Sequence, residues 1–199
     1  MKLIKVIMLL ALANLSACST ADTSNTSTQW ILDSAKSKVN FISIKKGNLG
    51  ESHNFTDVSG EIDNGKASIL IRPDSVDTKV PIRNQRMRDL LFETGIYPSI
   101  EVAADVNSII DQLEIGSSLI ATVPASLSMH GVSKDLNLEL RINKLNSTTL
   151  IVSSTQPVLI GAADYNMADG ITKLAALVNN LHIAESVPVS FSLQFSDVR

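Results

Sequence analysis

Two stretches of the chain alternate with a period of two. Leu136, Leu138, Leu140 and Ile142 interleave with Asn137, Glu139, Arg141 and Asn143. Val187, Val189, Phe191, Leu193 and Phe195 interleave with Pro188, Ser190, Ser192, Gln194 and Ser196. This spacing buries one set and leaves the other in water, which predicts antiparallel strands wet on one side. Weaker versions predict strands over 38–45, 67–72, 100–106, 119–129 and 150–154. Turn residues punctuate them: Gly47-Asn48, Asp63-Asn64-Gly65, Gly116-Ser117-Ser118 and Gly131. Two segments change period. Residues 84–93 place Met87, Leu90 and Leu91 at helical spacing, and 169–180 do the same with Ile171, Leu174, Leu177 and Val178. Asp169 is the expected N-cap of the second. The pattern predicts an all-β domain with two short helices in its connections. Each clear strand has one apolar face, so the sheet must close on itself or pack on another. A barrel of about eight strands either fills its interior with side chains or holds one small ligand. Aromatics make up only 4% of the chain, so the interior is mainly branched aliphatic, which suits both outcomes.

The first residues follow another logic. Lys2 and Lys5 precede the apolar run from Val6 to Ala13, and the small residues Ser16 and Ala17 follow. That is the layout of a secretory signal, with an apolar run too short to span a membrane as a helix. Leu15-Ser16-Ala17-Cys18 resembles the bacterial lipobox. The resemblance implies removal of residues 1–17 and acylation of Cys18, the only cysteine, so no intramolecular disulfide can form. Several acyl chains together hold a protein stably at a membrane. Ser19 stands where an Asp resembles an inner-membrane retention signal, so the expected address is the outer membrane of a bacterial envelope, facing the periplasm. Residues 18–29 carry almost no apolar side chains after the cysteine and are expected to be a disordered tether. The folded domain is expected over 30–199.

Charge and motif content exclude several functions. The chain carries 17 Lys and Arg against 20 Asp and Glu, a formal charge of −3, and loss of Lys2 and Lys5 makes it more acidic still. No basic stripe interleaved with aromatics is present, which argues against nucleic acid as a partner. No Gly-x-Ser-x-Gly elbow accompanies Ser128, His130 and Asp135, and no glycine-rich phosphate loop appears. His53, His130 and His182 show no close metal-ligand spacing; His182 and Glu185 would lie one turn apart only on a helix, against which Pro188 argues. Neither catalytic residues nor a metal or other cofactor are expected. Arg83, Arg86 and Arg88 form either a solvated face or a basic rim able to bond lipid oxygens. Met87, Leu91 and Phe92 are either a core cap or a lid.

A set of short motifs runs through the chain in order. Trp30-Ile31-Leu32-Asp33 is followed by Ser37, Val39 and Phe41, then by Phe55, Ser59-Gly60 and Ile62. Ser75-Val76-Asp77-Thr78, Arg83-Asn84 with Met87 and Arg88, Leu91-Phe92 and Tyr97-Pro98 come next. Met129-His130-Gly131-Val132-Ser133-Lys134 and Val187-Pro188-Val189-Ser190-Phe191 complete it. Together they resemble the YceI-like family of bacterial lipocalin-like barrels, over nearly all of 30–196. The resemblance implies an antiparallel eight-stranded barrel with an apolar channel for an isoprenoid lipid, polyprenyl or quinone-type. Val39, Phe41, Leu127, Met129, Leu138, Phe191 and Leu193 are expected to line that channel, with Met87, Leu91 and Phe92 at its end. Arg83, Asn84 and His130 are the expected polar contacts to a lipid head group. The partners expected are thus an isoprenoid lipid and the membrane, and the reading admits a homodimer. The alternative is an envelope scaffold protein with a filled barrel and no ligand.

Overall fold

The computed structural model describes residues 29–110 and 112–198. The leader, Cys18 and the tether through residue 28 lie outside the described residues. Twelve strand segments are present among them: β1 (Gln29–Leu32), β2 (Lys38–Lys45), β3 (Leu49–Phe55), β4 (Val58–Asp63), β5 (Lys66–Ile71), β6 (Val76–Asp77), β7 (Ile100–Asp105), β8 (Ser118–Met129), β9 (Val132–Asn146), β10 (Thr149–Ser154), β11 (Val158–Gly161) and β12 (Ser186–Asp197). β1 starts one residue before the expected boundary, because Gln29 pairs with Asp63 and its side chain donates to Glu61.

Eight of these twelve segments combine in pairs. β1 and β2 both pair with β12, β4 and β3 pair with them in turn, and β5 and β6 continue the series. β10 and β11 both pair with β12 from its other side. Each couple is one long barrel strand with a bend in it. With β7, β8, β9 and β12 unbroken, the result is a closed eight-stranded antiparallel meander. The bends have local causes. Pro73 and Pro157 cannot donate to a ladder. At the first bend Asp33 accepts from Ala35 N at 3.1 Å, turning Ser34–Lys36 into a 3₁₀ turn. The first three bends are also tied together: Ser34 Oγ donates to Val58 O (2.6 Å), Arg72 N to Asp57 O (3.0 Å) and Thr56 N to Ser75 O (3.2 Å).

Turn chemistry closes the hairpins. Asn64-Gly65 and His130-Gly131 are two-residue turns with positive φ at both positions, which the twist of paired strands favours. Lys66–Asp63 and the short helix α2 (Asn107–Ile110) lie at one end of the barrel, called the base. The opposite end, the mouth, carries the β2–β3 and β8–β9 turns and both long connections. One holds α1 (Pro81–Arg86), which runs into a π-helical turn over Met87–Leu91; Phe92 N bonds back to Met87 O at 2.9 Å. The other holds α3 (Ala168–Ala176). Both helices differ in bounds from the expectation. The first begins earlier because Pro81 occupies the first turn, where its missing N–H costs nothing. In the second, Asp169 is not the cap but lies inside the first turn, and the helix stops before Asn179 and Asn180, both left-handed.

Inward and outward positions separate by chemistry. Leu138, Leu140 and Ile142 are buried, whereas Asn137, Glu139 and Arg141 are exposed. An apolar inside and a polar outside is the reverse of a membrane-spanning barrel. No helix among the described residues is long and apolar enough to cross a membrane.

Candidate functional site

The inward side chains do not meet at the barrel axis. They enclose a cavity of about 220 Å³. At the base, Ile62, Ile142, Leu150 and Phe195 form its floor, with Val106 and Ile110 closing that end. Val39, Phe41, Leu127, Met129, Leu138, Phe191 and Leu193 line its wall, and Leu91 and Phe92 reach it from the mouth. Met87 is buried but lies off the cavity. Glu185 is the only charged residue in the lining. A water molecule needs two to four polar partners, and beyond Glu185 the described lining side chains offer none, so hydrocarbon is the matching occupant.

The mouth is roofed by the two helical connections. Gly170 of α3 lies against the π-helical turn: a Cβ there would stand 2.6 Å from Leu90 O and 2.9 Å from Leu91 Cα. Glu93 follows the turn with φ 45°, and its carboxylate contacts His130 Nε2 at 3.0 Å. Tyr97 stacks on the His130 ring at 4.1 Å between centroids. Lys173 of α3 approaches the same carboxylate at 3.9 Å. Glu93 thus ties the roof to the β8–β9 turn and, beside the Gly170 packing, to α3.

A polar group sits across the mouth on β2 and β3. Counting in twos from Phe41 and Phe55 places Ser43, Lys45, Glu51 and His53 on the inward side as well. Lys45 Nζ and Arg83 Nη1 both reach Glu51 Oε2, at 2.7 and 2.8 Å, and Arg83 Nη2 donates to Thr78 O at 2.7 Å. The bond from Lys45, with the charge of Arg83, holds the Glu51 carboxyl below its usual range. His53 is 3% exposed; its Nε2 meets Ser43 Oγ at 2.8 Å and its ring stacks on Phe41 at 5.2 Å. Burial, and then the Arg83 guanidinium, hold its pKa below the ordinary imidazole value.

The sequence matches the YceI-like domain family over residues 30–195. The chain belongs to that family. Among solved structures it is similar to a polyisoprenoid binding domain from Saccharophagus degradans implicated in plant cell wall breakdown, at 36% identity and a TM-score of 0.82, covering 84% of this chain and 98% of that one. It shares its fold with BcnA of Burkholderia cenocepacia, at 19% identity and a TM-score of 0.63, covering 82% of this chain and 98% of that one. No curated protein matches the sequence.

In this YceI-like barrel the three expected head-group residues are not brought together. Arg83 and Asn84 lie beside β2–β3; His130 lies at the β8–β9 turn, across the mouth. Asn84 Oδ1 is occupied by Thr78, accepting from its N at 2.8 Å and from its Oγ1 at 2.5 Å. His130 meets Glu93 through Nε2 only. Ser128 hydrogen-bonds Ser133 on the outer face at 3.0 Å. His182 and Glu185 are not on a helix, and no cluster of three metal-ligating side chains occurs among the described residues. Sequence reasoning gave His53 no role. The signal that could have found it is its place two residues before Phe55, which puts it on the apolar side of β3.

Proposed function

We propose that this YceI-like protein is a non-enzymatic binding protein that sequesters or carries an isoprenoid lipid, polyprenyl or quinone-type, inside the barrel. In this reading acylated Cys18 anchors it at the bacterial outer membrane, facing the periplasm. The observation that carries the ligand assignment is the cavity of about 220 Å³ with a wall of aliphatic and aromatic side chains. The relation to a polyisoprenoid binding domain at 36% identity supports it. Each CH₂ leaving water contributes about 0.8 kcal/mol, so one five-carbon isoprene unit contributes roughly 4 kcal/mol before the cost of immobilising the chain. Catalysis is not required for such binding, and length fit supplies selectivity. Eight residue steps separate Val187 from Phe195. At about 3.4 Å per step and a tilt near 40°, that is roughly 20 Å along the axis. An extended chain gains about 1.2 Å per bond, or roughly 5 Å per isoprene unit, so about four units lie straight in the channel.

The test is uptake of geranylgeraniol by delipidated protein. Saturation near one molecule per chain supports the carrier reading; no uptake at any concentration removes it. Replacing Cys18 with alanine tests the anchor separately: the protein should leave the membrane fraction, and continued membrane retention would contradict acylation.

A further inference from the structure

Among the described residues, five buried polar side-chain atoms have no hydrogen-bond partner: Trp30 Nε1, His53 Nδ1, Arg83 Nε, His130 Nδ1 and Tyr165 Oη. Two of the five belong to one cluster. His53 and Arg83 are electrostatically coupled, and both lie beside Glu51. Buried polar atoms are nearly always satisfied, so two orphans in one cluster call for partners.

The spot adjoins the apolar cavity at its mouth end. His53 stacks on Phe41; Phe41 stacks on Phe55 at 5.4 Å, and Phe55 meets Phe92 of the roof at 5.7 Å. Phe41, Phe55 and Phe92 all line the cavity. An aromatic series thus leads from the hydrocarbon space to His53, which stands just outside the cavity lining. Arg83 Nε is a donor in every state. Ser43 Oγ and His53 Nε2 can share their bond in either direction; in the tautomer where the hydroxyl donates, Nδ1 of His53 carries the ring proton and is a donor too. In that tautomer both groups ask for an acceptor. Lys45 and Arg83 share one carboxylate, Glu51, while Asp77, the other acid acting on His53, is paired with Lys79.

We propose that His53 Nδ1 and Arg83 Nε form the head-group subsite of the channel and donate hydrogen bonds to an oxygen on the terminus of the bound isoprenoid. The assignment rests on the isoprenoid reading above; it keeps Arg83, adds His53, and leaves out Asn84, whose Oδ1 is taken by Thr78, and His130, which stands across the mouth at the β8–β9 turn. The shared chemistry is an oxygen acceptor; a quinone carbonyl, an alcohol or a phosphate supplies it. An acceptor bound here would hold the tail with its far end at the base and its head under the roof.

The experiment measures dissociation constants of the purified full chain for menaquinone-4, geranylgeraniol, geranylgeranyl phosphate and phytane, by competition against a fluorescent lipid. The first three carry oxygen on the same tail; phytane is the saturated hydrocarbon of the same branching, without oxygen. The wild type should prefer the oxygen-bearing probes by about fivefold or more, the worth of one to two hydrogen bonds. His53→Leu should erase most of that preference and leave phytane within about twofold. His53→Asn, which returns a donor near the Nδ1 position, should restore part of it and guards against misfolding. Arg83→Gln separates the sources: a loss confined to geranylgeranyl phosphate identifies a phosphate, and an equal loss across all three identifies a neutral oxygen. No effect of Arg83→Gln on any probe removes Arg83 from the subsite. An equal loss for phytane in His53→Leu makes His53 plain channel wall and overturns the subsite. So does a wild type with no oxygen preference, which leaves the carrier reading intact. Failure to bind any of the four overturns both.

Discussion

Replacing Ala104 with phenylalanine should stabilise the empty protein and weaken its ligand at the same time. Ala104 faces the cavity on β7, directly opposite Ala67 on β5, which also lines it. The two small side chains leave room for a ring. A phenylalanine buries roughly 100 Å² more apolar surface than alanine, worth about 2.5 kcal/mol at 25 cal/mol/Å². Ordering the ring costs about 0.5–1 kcal/mol, which leaves about 1.5–2 kcal/mol of net stabilisation. For a chain of this size that raises Tm by about 3–8 °C. The ring also occupies space for roughly six carbons of a bound tail, a gross loss near 5 kcal/mol. Even one third of that weakens binding more than tenfold. Thermal unfolding of delipidated protein followed by circular dichroism gives the first number, and geranylgeraniol titration the second. In a filled barrel the ring would overpack the core and lower stability by about 1–3 kcal/mol. A lower Tm with unchanged binding would therefore refute the reasoning, since it would mean that the space is neither empty nor the place where the tail lies.

Three further outcomes are expected. Gly170→Val should destabilise the protein by about 1–3 kcal/mol, because the new side chain drives α3 off Leu90 and Leu91; a urea midpoint equal to wild type would contradict that packing. Glu51, whose carboxyl titrates below its ordinary 4.5, contributes stability that is full above that value and lost as pH falls through the lower folded one. Glu51→Gln should flatten this acid limb in urea titrations, and an unchanged limb would show that the Lys45–Glu51–Arg83 contacts are energetically silent. His53, held below its ordinary 6.5 chiefly by burial, binds protons more weakly folded than unfolded, so stability declines as pH drops below 6.5. NMR titration of the His53 ring should give a midpoint under 6.5, and a midpoint above it would refute the burial argument.

The parts of the fold legible in the sequence are those where pleat and polarity agree. β9 and β12 alternate without interruption and appeared where expected. β3 escaped notice because its inward positions include Glu51 and His53, so the polarity pattern fails although the pleat is regular. β4 was hidden by Gly60, which alternates inward with Val58 and Ile62 but carries no side chain, because a Cβ there would stand 2.5 Å from Ser68 O. β11 has Leu159 on its outer face, 73% exposed, and so reads as an undivided apolar run. The channel wall was readable for the same reason as the long strands: seven of its residues follow from alternation once closure is assumed. The mouth was not, because its polar groups are joined through tertiary contacts. Arg83 meets Glu51 across 32 positions and Glu93 meets His130 across 37, separations that no local pattern encodes. Trp30, the single tryptophan of the sequence, is 2% exposed and does not line the cavity, so mass-based detection suits this protein better than tryptophan quenching.

The central claim is that the cavity holds an isoprenoid tail. The most direct test is to purify the protein from its own membranes, extract it with organic solvent and analyse the extract by mass spectrometry. The account predicts one isoprenoid per chain, bearing oxygen at its terminus. An extract free of isoprenoid, from protein that also takes up no added geranylgeraniol, would contradict it.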